Sequence, residues 1–233
     1  MPARSGLLAD GQYDTLAPPG LTHLQTMLAG QHWEICRPAV AGERVIEEGT
    51  TRSITERQGA TDPVVFVEKE AVIRSADRGD AIERSVATLI LRDPPLPLPP
   101  VAGETATKGS AGAATSRLPD GSLVKRPDMI TLFMFAATIW AVHRIHWDAP
   151  YARSEGLPAP VLPGWMLASY LAQRARGAAP EGKHLAGLAV RYRAIAHPDD
   201  ILTCRATSEA EPELTITNQH ETVVVNGKAT FAR

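Results

Sequence analysis

Two histidines three positions apart, His143 and His146, stand in the stretch HRIHWDAPYARSEGLPAPVLPGWMLASYL, with Arg144 beside the first and Asp148 two residues after the second. An imidazole changes charge near neutral pH, so it can take up and return a proton under ordinary conditions. Eighteen residues after His146 comes Gly164, behind Pro163 and at the head of an apolar run. The first amides of a helix have no intrahelical partner and favour negative charge, so Gly164 is placed to hold an oxyanion. A glycine there also lets a ligand come close to the backbone. Proton-transfer groups beside an anion-holding helix end suit acid/base chemistry at a polarised carbonyl compound.

Each of these residues has a plainer reading. His143 and His146 can be structurally satisfied histidines. Asp148 can cap the turn Asp148-Ala-Pro-Tyr, or it can set the tautomer of a histidine. Gly164 can simply allow tight packing. Arg144, Arg191 and Arg193 carry guanidinium groups suited to phosphate, although Arg191 and Arg193 alternate as residues on a solvated strand face do. Trp140 and Trp165 are expected in the core.

The elements that must position these residues follow from periodicity. Residues 33–40, 43–57, 63–75 and 80–92 alternate apolar and polar side chains and read as antiparallel strands. Residues 1–32 read as irregular. Residues 93–127 read as a linker, its first part Pro-rich and extended, and residues 101–116 small, polar and mobile. The run ITLFMFAATIW reads as a buried strand. Residues 164–176 read as a buried helix, with Pro163 before it and Gly177 as its stop. Strands are expected at 184–196, 200–208, 212–218 and 221–232, with a hairpin turn at Val225 to Gly227. The segments Arg37 to Val45 and Arg193 to Ile201 echo each other as strand, acidic turn, strand.

Composition narrows the function. The chain has 233 residues, 44% hydrophobic and 21% charged, with net charge -2. That is an ordinary globular balance with room for one large domain or two smaller ones. Lys and Arg are scattered, so no basic face for nucleic acid is expected. The apolar run near Met129 to Val142 is too short to span a membrane. The N-terminal residues lack the unbroken apolar stretch of a signal peptide. Cys36 and Cys204 make neither a zinc motif nor a disulfide framework, so a cytoplasmic protein with reduced thiols and no metal is expected.

Two motifs carry a resemblance. The first is Arg144-Ile145-His146, Asp148, Tyr151-Ala152 and Pro163-Gly164; the second is Trp33-Glu-Ile-Cys-Arg-Pro-Ala-Val-Ala-Gly-Glu-Arg-Val45. In this order they resemble the MaoC-type hydratase/dehydratase branch of the hot-dog fold, over most of residues 33–233. The form HRIH, followed by an aromatic and Asp, is closer than the usual family pattern to a subgroup with itaconyl-CoA and mesaconyl-C4-CoA hydratases and the mitochondrial hydroxyacyl-thioester dehydratase. The resemblance implies an α+β double hot-dog. Residues 1–92 would form a reduced first unit without a long central helix, and residues 128–233 the unit with the site. It implies a lyase that hydrates an enoyl-CoA or dehydrates a 3-hydroxyacyl-CoA, with a short branched C5 dicarboxylyl thioester as the narrow expectation.

In that reading His146 is the base, Gly164 the oxyanion donor and His143 an auxiliary. Arg144 and Asp148 would line the substrate, and Arg191 and Arg193 would meet the CoA phosphates. The thioester is substrate and no cofactor is needed; no nucleic acid or membrane takes part, and the protein is expected to be a homodimer. One departure matters. Five residues before His146 the family carries an acid/base Asp or Asn, and here that position is Ala141. The enzyme would then be slow, or use His143 or a bound water. Alternatively the chain is a non-catalytic acyl-thioester-binding or partner subunit. A hot-dog thioesterase is a further alternative, disfavoured by the HRIH-to-Gly164 spacing.

Overall fold

Alternating strands need partners along their edges and a cover for their apolar faces. The computed structural model describes residues 6–59, 62–99, 112–208 and 210–233. The first half gives β1 (Gln25–Ile35), β2 (Val45–Gln58), β3 (Pro63–Ser75) and β4 (Ala81–Arg92). The second gives β5 (Ala114–Arg117), β6 (Leu123–Arg126), β7 (His184–Tyr192), β8 (Leu202–Ala206), β9 (Glu213–Thr217) and β10 (Val223–Ala232). All ten join one sheet in the order β2-β3-β4-β1-β7-β10-β9-β8-β6-β5. The halves meet where β1 pairs antiparallel with β7, from Gly30 opposite Arg191 to Glu34 opposite Gly187.

Three helices lie between β6 and β7: α1 (Met129–Thr138), α2 (Ala149–Ser154) and α3 (Gly164–Arg176), with a 3-10 turn at Arg144–His146. Helix α3 is apolar on most sides, as a helix buried against a sheet must be. Its Met166, Leu167, Tyr170 and Leu171 pack with Leu188, Val190, Leu214, Ile216 and Val224 from β7, β9 and β10. Leu171 is fully buried, a side chain that alone contributes about 1.5–3 kcal/mol of transfer free energy.

The first half has no such helix among the described residues. Its inner face, with Val67, Leu89 and Leu91, is covered by Leu16, Ala17, Leu21 and Leu24 of the segment before β1. The sheet face thus buries its apolar side under irregular chain, which the domain logic of packed layers requires in one form or another. β1 itself starts at Gln25, ahead of the expected Trp33.

Four expectations need correction. The run read as a buried strand is α1. Asp128 caps it, its side chain accepting from the Thr131 amide at 2.7 Å, and only Leu132 and Ala136, four apart, are buried. A local cap and helix-compatible side chains overrode an apolar run whose period was ambiguous. The linker is shorter than 93–127, because β5 and β6 close one end of the sheet. Of the stretch expected to be mobile, residues 100–111 lie outside the described residues. The hairpin is displaced: Asn226 and Gly227 sit inside β10, paired with both β7 and β9. The turn is at Asn218, whose side chain accepts from the amides of His220 and Thr222, and Glu221 takes the left-handed conformation there. Finally, Trp140 and Trp165 are 39% and 47% exposed and are not core residues.

Candidate active site

The site is assembled where α1 ends. Ala141 donates its amide to the Ala136 carbonyl at 2.9 Å, and Trp140 stands at positive φ between them. This is a left-handed helix stop, usually made by glycine. The chain then turns through His143 and the 3-10 turn into Asp148. Asp148 caps α2 by accepting from the Tyr151 amide at 3.1 Å, and it pairs with Arg144 at 2.6 Å. Arg144 lies over the Tyr151 ring, 4.5 Å from its centroid. Arg144 and Asp148 therefore satisfy one another and brace the loop, and among the described residues the Asp148 carboxylate pairs with Arg144 and the Tyr151 amide rather than with either histidine.

His146 Nδ1 lies 2.8 Å from the carbonyl oxygen of Val161. A carbonyl only accepts, so Nδ1 carries the proton and Nε2 keeps its lone pair. Burial, reinforced by nearby His143, pushes the imidazole down to about 4 against the pull of that carbonyl. His146 is thus a neutral imidazole at physiological pH with a fixed tautomer.

His143 meets His146 edge to face, with ring centroids 6.2 Å apart, and Tyr151 at 5.9 Å. Its Nε2 is buried without a well-aligned hydrogen bond. The nearest charge is Asp10 Oδ2 at 3.4 Å. Burial lowers the His143 pKa, and Asp10 and Glu155 oppose that shift. The Tyr151 hydroxyl donates to the same Asp10 oxygen at 3.1 Å, and its pKa is raised, first by burial and then by Asp10.

Asp10 reaches this place because the segment before β1 crosses the loop. Its carbonyl accepts from the Arg144 amide at 2.9 Å, and its Oδ1 accepts from the Gln12 amide at 2.9 Å. Gly11 has φ +85°, and a Cβ there would collide with the Val142 carbonyl. Only glycine lets the two stretches of backbone come so close. Gln25 of β1 adds a second tie, donating to the Glu155 carbonyl at 2.9 Å.

Gly164 begins α3. A Cβ there would sit 2.9 Å from both Leu28 Cδ2 and Tyr192 Cζ, so the missing side chain makes room for these two neighbours. The Tyr192 hydroxyl donates to the Gly164 carbonyl at 2.8 Å. The Met166 and Leu167 amides turn back to Pro163, which leaves the amides of Gly164 and Trp165 without a partner among the described residues. Tyr192 faces Gly164, so its β7 neighbour Arg191 points to the opposite face of the sheet, and Arg193 follows just past the strand end. Both line a groove with Glu68, Thr88, Asn226 and Lys228. The structure brings His143, His146, Arg144 and Asp148 together and sets Arg191 and Arg193 apart from them.

The sequence reading missed Asp10, the Val161 carbonyl and the hydroxyl of Tyr151. Tyr151 had a signal in its Tyr-Ala pair. The Asp10-Gly11 step is a turn signature, but nothing local tells which distant loop it meets. Among the described residues no three His, Cys, Asp or Glu side chains converge as a metal site needs, and no helix is long and apolar enough to cross a membrane.

Known proteins resemble this chain. A family model described as hydroxyacyl-thioester dehydratase type 2 matches residues 1–199. Mesaconyl-C(4)-CoA hydratase of Chloroflexus aurantiacus is 29% identical over 182 residues, covering 74% of this chain and 59% of that protein. The mitochondrial hydroxyacyl-thioester dehydratase type 2 of Schizosaccharomyces pombe is 37% identical over 65 residues, 28% of this chain and 22% of that one. The chain thus spans less than two thirds of either curated relative. Among solved structures, HtdX of Mycobacterium tuberculosis has a TM-score of 0.64 at 14% identity, covering 89% of this chain and 75% of that chain. A MaoC-like dehydratase has 0.65 at 17% identity, covering 90% and 75%. These two likenesses establish the fold, an α+β hot-dog. Because the family model matches residues 1–199, well over half of the chain, the chain belongs to the hydroxyacyl-thioester dehydratase type 2 family of MaoC-like hot-dog proteins.

Proposed function

We propose that the protein is a hydratase/dehydratase that adds water to an α,β-unsaturated acyl-CoA thioester or removes it from the 3-hydroxy form. The observation that carries this reading is the clamp of His146 Nδ1 on the Val161 carbonyl. It leaves Nε2 unprotonated and burial keeps it so, which is the state a general base needs before it meets water. In hydration His146 Nε2 takes a proton from water as the oxygen joins the β-carbon. The electron pair of the double bond moves toward the thioester oxygen, and the α-carbon takes a proton from a second group. The amides of Gly164 and Trp165 suit the enolate oxygen, being the unengaged donors at the head of α3. His143 is the second group in this reading, since Ala141 has no proton to give. The finer substrate is a short branched C5 dicarboxylyl-CoA, supported by the named activity of the Chloroflexus relative.

The test is turnover of a panel of enoyl- and 3-hydroxyacyl-CoAs. His146→Ala is expected to lower kcat by on the order of 10²-fold or more. Unchanged turnover in that variant would remove His146 from the chemistry. Ala141 also favours a second reading, a non-catalytic acyl-thioester-binding subunit. That reading predicts acyl-CoA binding by calorimetry with no turnover of any panel member.

A further inference from the structure

The segment before β1 reaches the site with a carboxylate, and nothing in the packing of the sheet demands that it do so. Its apolar residues Leu16, Ala17, Leu21 and Leu24 do the covering, whereas Asp10 lies beyond them against the histidine loop. The carboxylate is held at both oxygens, by the Gln12 amide and by the Tyr151 hydroxyl. The backbone on either side is fixed by the Arg144 amide and by the close passage at Gly11. So firm a placement brings Oδ2 to 3.4 Å from a buried ring nitrogen that has no other partner among the described residues.

A buried imidazole N–H without an acceptor costs about 1–3 kcal/mol, and a buried imidazolium without a counter-charge costs more. Asp10 is the group that removes both penalties. The other ionisable groups facing His143 are Glu155 and Tyr151 from α2 and its end, and His146 from the 3-10 turn. Glu155 is engaged by Gln25, and Arg144 is turned to Asp148. Tyr151, its pKa raised by burial and by Asp10, is neutral at physiological pH. His146 is neutral and clamped to Val161.

We propose that Asp10 is a positioning residue for the reaction, the carboxylate partner that faces His143 Nε2 and favours the imidazolium form, in which the other ring nitrogen carries a proton to give. The inference rests on the hydratase/dehydratase reading for its use of that proton. The accounts balance across the two histidines. In hydration neutral His146 receives one proton from water and becomes the imidazolium, while the His143 imidazolium gives one to the α-carbon and becomes neutral; exchange with solvent resets both. Asp10 is 26% exposed, so the pair is open to solvent at the carboxylate. The acid absent at Ala141 is thereby replaced by an acid and a histidine far apart in the sequence.

The experiment titrates the ring of His143 by NMR in the full chain labelled with ¹³C and ¹⁵N histidine, with His143→Gln for assignment. Asp10→Asn keeps the acceptor for the Gln12 amide and turns its NH2 toward the Tyr151 oxygen, which can accept, so the fold is retained. Its expected effect is to lower the His143 midpoint by about one pH unit or more, as loss of an opposite charge at this range does. Tyr151→Phe leaves Asp10 untouched and frees Oδ2 for the imidazole, so the midpoint is expected to rise. In turnover, Asp10→Asn is expected to reduce kcat by about 10-fold or more. KM should hold within a factor of two, and the alkaline limb of kcat should move to lower pH.

A His143 midpoint unchanged in Asp10→Asn overturns the proposal, and so does a wild-type midpoint already below the range of folding. An unchanged pH profile in an active enzyme overturns it as well. If no thioester is turned over by wild type yet Asp10→Asn lowers the midpoint, the pairing stands and the hydratase/dehydratase reading falls.

Discussion

Adding one methyl group at Gly164 tests whether the head of α3 is as tightly built as its geometry indicates. An alanine Cβ would lie 2.9 Å from Leu28 Cδ2, 2.9 Å from Tyr192 Cζ and 3.1 Å from Tyr192 Oη. Carbon atoms pack best at about 3.5–4.0 Å, so each contact is short by roughly half an ångström or more. The Leu28 methyl is the far end of a flexible side chain and can swing away. Tyr192 cannot do so freely, because its hydroxyl is tied to the Gly164 carbonyl and its ring packs on the core around α3. Retreat of the ring gives up a hydrogen bond worth about 0.5–1.5 kcal/mol. Staying in place means overpacking, which costs about 1–3 kcal/mol. The helix preference of alanine over glycine returns at most about 1 kcal/mol.

Gly164→Ala is therefore expected to destabilise by about 1–3 kcal/mol, read as a lower midpoint in urea unfolding followed by circular dichroism. Combining it with Leu28→Ala is expected to recover part of that loss, giving a coupling above about 0.5 kcal/mol. Stability within about 0.5 kcal/mol of wild type, or strict additivity with Leu28→Ala, would refute the argument.

Two further outcomes follow from the periphery of the fold. Arg37 joins Glu43 at 2.7 Å and Asp80 at 2.6 Å, and beside its guanidinium both carboxyls are held at about 2, below their ordinary 4.5 and 3.8. Depressed folded values add stability above about pH 4.5 that is lost as pH falls toward 2. Arg37→Met should flatten the fall of the urea midpoint across that window, and an equal fall in both proteins would contradict the pairing. Glu221 holds φ 55° in an exposed turn, a conformation costing a residue with a Cβ about 1 kcal/mol. Glu221→Gly should raise stability by about 0.5–1 kcal/mol by thermal unfolding, and a drop in Tm would show that the turn is not strained.

Strand alternation was readable wherever local pattern decided the outcome. β3 matches its expected span and β4 differs by one residue at its start; α3 follows from Pro163, Gly177 and its apolar surface. Reading failed where tertiary contacts decided. MITLFMFAAT carries an apolar run fit for a strand, and the Asp128 cap tipped it into a helix with Ile130, Phe133 and Met134 exposed. Asn226-Gly227 has the chemistry of a turn, yet pairing on both sides kept it extended, while Asn218 closed the loop. At the site, His143, Arg144, His146 and Asp148 were visible because sequence neighbours stay spatial neighbours across a 3-10 turn. Asp10 was invisible because 141 positions separate it from Tyr151, and no periodicity encodes such a meeting.

The course of the chain across the sheet also fixes an order of assembly. β1 must find β4 within its own half and β7 across the seam. The second pairing closes a loop of more than 150 residues, the kind of long-range closure that slows folding and comes after local hairpins. During synthesis Asp10 emerges before the histidine loop. The acid-bearing segment can lie down on β3 and β4 as soon as these exist, but its tip has nothing to grip until the loop arrives. Maturation of the site is then a late docking event, and activity should lag behind the recovery of sheet signal when the unfolded protein is returned to native conditions.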